Sequence, residues 1–397
     1  MTDVATTRRD ATWAERGSSF ILFFVTGLAV GVWAAALPAL KAKLGLSDRD
    51  LSLVLFCLSV GSVVSTIVTG FYAGRIGTGR TTAVSSLVLI GALSLPPLAG
   101  TLAQFAMAAV ILGASIGALD VAMNGHASHI EQRWGGPIMS SFHGAFSLGG
   151  LAGSALGGLI ANAEWGVGAQ FWIPVGIAAV GVVAALPTLG RGPERMDGFA
   201  FAWPQRSMLA LCITVLFCFI VEGAIADWSA VYMTQILGTS VAVAAGGYAA
   251  FSVAMATVRL TGDRVVEILG PWTVVVGGSV LAALGLGLAV AVAEPVVAIL
   301  GFALVGVGAA NIIPIVFSAA ARTGTTPVAG VAMVSIVGYA GFVSGPPLMG
   351  TVATAYGLRT AVLCLAFAAV LMTLAGAMSL ERRTGSRGQR PPRRSRM

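Results

Sequence analysis

Two carboxylates interrupt otherwise apolar stretches, Asp120 in Gly117-Ala118-Leu119-Asp120-Val121-Ala122 and Glu222 in Phe219-Ile220-Val221-Glu222-Gly223-Ala224. A charge at the centre of a membrane costs roughly 2.5 to 3.5 kcal/mol, so such a residue persists only with a partner, a water-filled cavity or a proton. A carboxyl group held there can gain and lose a proton, which is the chemistry needed to couple solute movement to a proton gradient. Two other roles stay open for Asp120 and Glu222: neutral acids hydrogen-bonded inside a helix bundle, or direct contacts to a cationic or hydroxylated solute. Asn124 follows Asp120 by one helical turn on the same face, giving a paired acceptor and donor. That pair suits the hydroxyls of a sugar or cyclitol, and bracing of the carboxylate fits equally well. Asp227 lies near the outer end of the run that carries Glu222. His143 lies about five residues into its run and is either a functional contact or a helix-terminus hydrogen-bonding group. His126 and His129 are expected in a loop at the membrane edge.

Other chemistries find little support. Three scattered histidines offer neither a nucleophile–base pair nor a metal cluster. The four cysteines, Cys57, Cys212, Cys218 and Cys364, all lie in apolar stretches and read as small core residues, so neither a disulfide framework nor a CxxC metal pattern is available. The formal charge of +7 does not mark a nucleic-acid binder, because seven of the 23 basic residues sit in the tail, at Arg382, Arg383, Arg387, Arg390, Arg393, Arg394 and Arg396. No cofactor or metal is expected.

The elements that must position these groups are membrane spans. The 397-residue chain is 57% hydrophobic and 10% charged, far below the roughly 25% charge of a soluble domain. Runs of about 20 apolar residues start near Ser18, Asp50, Thr81, Leu102, Ile138, Ala169, Met208, Val241, Pro271, Val296, Val328 and Ala361. With a cytoplasmic N-terminus, Arg8, Arg9, Arg16, Arg75, Arg80, Arg133, Arg191, Arg195, Arg206, Arg259, Arg264 and Arg322 join the tail inside, against Lys41, Lys43, Arg49 and Arg359 outside. Both termini are therefore expected in the cytoplasm.

The sequence also repeats. Gly117-Ala118-Leu119-Asp120 matches Gly308-Ala309-Ala310-Asn311, Gly149 and Gly153 match Gly341 and Gly345, and Arg75 matches Arg264. Nearly one offset relates all three pairs, which predicts a duplicated six-helix unit. The expected organisation is a cytoplasmic segment over 1–17, a six-helix bundle over 18–189, a cytoplasmic linker over 190–207, a second bundle over 208–380 and a basic tail over 381–397. The fold class is all-α integral membrane, twelve helices as two pseudo-symmetric six-helix bundles.

That plan resembles the major facilitator superfamily over essentially the whole chain from Ser18 to Leu380. Its loop signature between the second and third spans reads Gly70-Phe71-Tyr72-Ala73-Gly74-Arg75-Ile76-Gly77, followed by Arg80, with Gly74 in the acidic position. The second copy, Gly262-Asp263-Arg264, keeps the acid. The resemblance implies gating roles for Arg75, Arg80, Asp263 and Arg264, with Asp263 near the positive end of the fifth helix. Gly149 to Gly158 is similar to the glycine-rich run of proton-coupled antiporters, which close helix packing explains as well. Gly113 occupies the position where proton-coupled members carry an arginine. The combination of Asp120 to Asn124, Ser141 to Ser147 and Glu222 to Ser229 resembles the MosC-like branch, bacterial proteins distantly related to fucose permeases.

In such a fold the first, fourth, seventh and tenth spans line the cavity, so Trp33, Asp120, Asn124, Glu222 and Asn311 are expected to converge. Asp120 and Glu222 then become proton-coupling residues, and Trp33, Asn124, His143, Asp227 and Asn311 substrate contacts. The expected partners are a small solute, protons and the lipid bilayer, with the chain working as a monomer in a bacterial cytoplasmic membrane. Proton-linked transport of a polar solute is favoured, with drug or metabolite efflux and a non-transporting sensor or scaffold as alternatives.

Overall fold

The computed structural model describes residues 12–134, 138–189, 206–323 and 327–380. The first bundle contains α1 (Trp13–Leu44), α2 (Asp48–Ile76), α3 (Thr78–Leu93), α4 (Leu102–Trp134), α5 (Met139–Asn162) and α6 (Gly166–Ala185). The second contains α7 (Leu209–Gln235), α8 (Val241–Leu269), α9 (Pro271–Ala291), α10 (Pro295–Ala309), α11 (Ile312–Thr323), α12 (Pro327–Tyr356) and α13 (Leu358–Ser379). α10 and α11 are the two pieces of the tenth span, so the described residues hold 12 helices long and apolar enough to cross a membrane. Most of the proposed linker and the whole basic tail lie outside the described residues.

Helix starts follow local chemistry. Thr12 and Glu15 form a capping box on α1, and Ser47 and Asp50 form one on α2, each satisfying backbone N–H groups that a helix start leaves open. Gly77 turns α2 into α3 at φ 98°, and Gly270 does the same between α8 and α9 at φ 79°. Another pair of left-handed glycines, Gly166 and Gly357, opens α6 and α13. These turns recur about one repeat length apart and support the duplication.

Inside each bundle, α1 packs along α5 and α2 along α4, while α7 packs on α12 and α8 on α10. The α1–α5 contact is a backbone contact. A methyl group added to Gly31 would fall on the Gly150 carbonyl, and one added to Gly153 on the Leu28 carbonyl, the close approach that small residues give helices in lipid. The third, sixth, ninth and twelfth spans carry exposed apolar side chains such as Val84, Val180, Leu284 and Phe367. These residues are lipid-facing, and the helices without ionisable groups in their apolar runs form the periphery.

The two bundles meet along α5–α8 and α2–α12, with α1 also against α7 and α8. With twelve alternating spans, both chain termini share one end of the molecule, here called the terminal end. At the opposite, far end the Ser52 hydroxyl of α2 donates to the Pro346 carbonyl of α12 at 2.6 Å, and Gly350 packs directly on Ser52. Ser154 of α5 donates to the Ala245 carbonyl of α8 at 2.6 Å. Towards the terminal end Leu260 covers Gly144, while no extensive packing joins α4 to α10 or α11.

The tenth span breaks at Ala310 and Asn311. Pro314 supplies the reason: a continuous helix needs the residue-314 amide to donate to the Ala310 carbonyl, and proline has no N–H. α4 runs on as one helix to Trp134, where Arg133 pairs with Glu15 of α1 at 3.0 Å. His126 and His129 are therefore helical residues, the former buried, and not loop residues as expected.

Candidate functional site

Asp120, Asn124, His143, Glu222, Asp227, Arg259 and Tyr339 all sit within the bundle yet keep part of their surface free. Asp120 with Tyr339 and His143 with Arg259 are electrostatic neighbours across the two halves. The residues fall into three groups instead of the single cluster expected from sequence.

The first group lies on α4. The Asn124 amide donates to Asp120 Oδ1 at 3.0 Å and to the Asp120 backbone carbonyl at 2.8 Å. The one-turn spacing produces the predicted pair. From α12, the Tyr339 phenol lies within electrostatic reach of Asp120, so this acid has an element of the opposite bundle for a neighbour.

The second group centres on Glu222 of α7. The Cys218 thiol, one turn earlier, donates to Glu222 Oε1 at 3.4 Å, so Cys218 is more than the core filler expected from sequence. Arg259 of α8 is coupled electrostatically to Glu222, to the Tyr248 phenol of its own helix and to His143 of α5. Arg259 corrects the sequence reading, which counted it among loop residues. It lies inside the eighth span, where its Nε donates to the Ala310 carbonyl at 3.3 Å. That carbonyl is the one Pro314 leaves without a helical donor. The guanidinium thus answers two needs at once, a freed backbone acceptor and a buried acid. Nothing local in the sequence marked it, because the carbonyl it serves lies 51 residues away. Among the described residues the ion pairs Lys41–Asp48 and Arg133–Glu15 lie near helix ends, away from this guanidinium.

The third group stands towards the far end. The Trp33 indole of α1 lies beside the Asp227 carboxyl of α7 without closing a hydrogen bond of normal geometry. Asp227 also lines a narrow cleft between α7 and α12, walled by Phe219, Gly223, Phe342 and Pro346. Phe219 and Phe342 meet edge to face, ring centres 4.6 Å apart.

The remaining expected residues stand elsewhere. Asn311 occupies the helix break, where its side chain packs against Gly262 and its amide nitrogen is buried without a hydrogen-bond partner. Near the terminal end His143 packs edge to face on Phe23 of α1, ring centres 5.3 Å apart. Arg75, Arg80 and Arg264 are exposed near that end. The Asp263 side chain lies outside the described residues, although its helix passes beside the start of α5.

The family model of the Major Facilitator Superfamily matches residues 19–333. A protein of Yersinia pestis described as an uncharacterised MFS-type transporter is 36% identical over 374 residues, covering 91% of this chain and 94% of that protein. The membrane protein MosC of Rhizobium meliloti is 31% identical over 367 residues, covering 91% of this chain and 89% of its own. Among solved structures, the nucleoside transporter NupG superposes with a TM-score of 0.71 at 15% identity, over 93% of this chain and 99% of that one. The human organic anion transporter MFSD10 gives 0.66 at 16% identity, over 91% and 99%. At such identities the two structures speak for the fold alone. The chain belongs to the major facilitator superfamily, as a multi-pass membrane transporter of the MosC-like branch.

Proposed function

We propose that this transporter moves a small polar solute, sugar- or cyclitol-like, by proton-coupled alternating access across a bacterial cytoplasmic membrane, both termini inside. The observation that carries the reading is the placement of Asp120 and Glu222. Each is partly accessible in the space between the bundles, and each faces a polar group on another helix. A proton on either acid changes its balance with those groups, Tyr339 for Asp120 and Arg259 for Glu222. Asp120 on α4 and Tyr339 on α12 belong to different bundles, so a proton on Asp120 acts across the boundary that must rock during transport, while Glu222 and Arg259 both belong to the second bundle.

The Asp120–Asn124 pair offers an acceptor and donors to hydroxyl groups, which favours a polyol over an apolar drug. The packed α2–α12 seam closes the far end, taken here as the outer one. Arg75, Arg80, Asp263 and Arg264 then act at the inner gate. Counterflow in proteoliposomes at several clamped pH values tests the reading, using pooled monosaccharides and cyclitols. Wild-type exchange should depend on pH, and Asp120→Asn or Glu222→Gln should flatten that dependence. A wild-type pH profile in both variants would remove these acids from the coupling.

A further inference from the structure

The terminal end of the first bundle carries a cluster that solute transport does not use. α1 has 32 residues and α4 has 33, which at about 1.5 Å per residue makes each roughly 50 Å long, against a hydrocarbon core of about 30 Å. Their ends therefore project into the headgroup layer. Trp13 opens α1 and Trp134 closes α4, and the two rings meet edge to face with centres 4.6 Å apart.

Arg16 lies against both rings, its guanidinium carbon 5.3 Å from the centre of Trp13 and 5.0 Å from that of Trp134. Ring faces attract the charge of a guanidinium and use none of its N–H donors. The acid beside it in sequence is already engaged: Glu15 Oε1 accepts from Arg133 at 3.0 Å, and Oε2 accepts from the Thr12 amide at 2.8 Å and the Thr12 hydroxyl at 3.2 Å. Glu131 of α4 is engaged as well, accepting from the Ile138 and Met139 amides at 2.7 and 2.8 Å. Among the described residues no carboxylate pairs with Arg16. A half-buried guanidinium is thus held in place with its donor fork open, and that fork matches two oxygens of a phosphate.

The surroundings decide what kind of phosphate fits. Trp13, Arg16 and Phe20 are spaced by three and four residues and share one face of α1. Trp13 is 74% exposed and Phe20, one turn deeper than Arg16, is 40% exposed. An apolar strip that runs from the guanidinium into the hydrocarbon suits a phosphate that carries acyl chains, whereas a free phosphate leaves the strip unused. A headgroup ammonium gains nothing here, because Glu15 and Glu131 are both engaged. The complement is a lipid phosphate whose net charge is negative.

We propose that Arg16, framed by Trp13 and Trp134, binds the phosphate of an anionic phospholipid of the phosphatidylglycerol type, with an acyl chain along the Trp13–Phe20 face. The site stands apart from the space between the bundles and does not rest on the solute reading. A lipid bound there braces the start of α1 against the end of α4, the segment whose Glu131 caps α5.

The test uses purified full-length protein in a neutral detergent, with the unfolding midpoint read by helix content. The probes are short-chain phosphatidylglycerol, phosphatidylcholine of the same chain length and inorganic phosphate. Phosphatidylglycerol should raise the wild-type midpoint at concentrations where the other two do not. Arg16→Gln should need about fivefold more phosphatidylglycerol for half of the effect. Arg16→Lys keeps the charge without the fork and should fall between. Trp13→Leu removes one ring from the guanidinium and should also weaken binding; with Arg16→Lys it carries the comparison should Arg16→Gln not fold. Arg206→Gln, which removes an exposed arginine elsewhere at the same end, should titrate as wild type.

Wild-type titration in Arg16→Gln, or in both Arg16→Lys and Trp13→Leu, would overturn the site. An equal loss in Arg16→Gln and Arg206→Gln would overturn it too, as the mark of diffuse charge attraction. Protection by inorganic phosphate at the same concentrations would replace the lipid with a free anion, and protection by phosphatidylcholine equal to that by phosphatidylglycerol would refute the preference for net negative charge.

Discussion

Replacing Arg259 with methionine keeps most of the apolar stem of the side chain and removes two things, the donor to the Ala310 carbonyl and the charge that faces Glu222. The first loss can be sized. An unsatisfied buried acceptor costs about 1–3 kcal/mol. The bond here is 3.3 Å long and part-buried, which places Arg259→Met near the lower bound, about 1 kcal/mol. Pro314→Ala offers a repair, because an alanine at 314 has the N–H that a continuous helix would aim at Ala310. In the wild-type background that amide finds the carbonyl already engaged and adds little. In the Arg259→Met background it should recover about 1 kcal/mol, so the two substitutions should be coupled by that amount. The assay is unfolding of the four purified proteins in mixed detergent, read by helix content, beside counterflow of each. The double variant should regain stability but not pH-dependent exchange, since the carbonyl is satisfied and the charge is still missing. Additivity of the two substitutions to within about 0.3 kcal/mol would refute the shared-carbonyl argument.

Three further outcomes follow from packing and hydrogen bonding. Gly31→Ala places a methyl on the Gly150 backbone and should destabilise the protein by about 1–3 kcal/mol, while Gly345→Ala, whose methyl meets only the Ile220 Cα at 4.0 Å, should change it little; unfolding midpoints of the two variants decide this. Gly350→Val wedges α12 away from Ser52 at the far end. A cysteine introduced at Gly345 should then react faster with an impermeant maleimide added from outside than it does with Gly350 intact. Asn124→Leu removes the 3.0 Å bond to Asp120 and should weaken solute binding or shift the pH profile of exchange, whereas unchanged affinity and profile would limit Asn124 to helix packing.

The spans were legible because about 20 apolar residues in a row have few other uses. Eleven of the twelve predicted starts fall within three residues of helix starts in the structure; the exception is the first, where Ser18 lies five residues after the start of α1 at Trp13. The duplication was legible from glycines such as Gly117 and Gly308, since a methyl group at either would fall on a backbone carbonyl, of Ser62 and of Gly278. The Asp120–Asn124 pair was legible because helical spacing alone puts the two on one face. Arg259 was not. Counting basic residues by side of the membrane groups any arginine near a helix end with the loops, and nothing local distinguishes one whose guanidinium turns back into the bundle. What draws it there is a carbonyl freed by Pro314 on another helix, a relation between residues 51 apart in sequence. His126 and His129 were placed in a loop for a related reason, because hydropathy ends α4 where polar residues begin. The helix itself continues to the Arg133–Glu15 pair. The gap between Trp33 and Asp227 joins two bundles, and no pattern within one helix could show it.

The central claim, that protons and solute move together through Glu222, is tested most directly by following both in the same vesicles. An outward solute gradient is imposed on proteoliposomes without any pH difference, and lumenal pH is recorded beside solute loss. The account predicts proton movement in step with the solute in the wild type, and solute exchange without proton movement in Glu222→Gln. Proton movement of wild-type size and rate in that variant would contradict it.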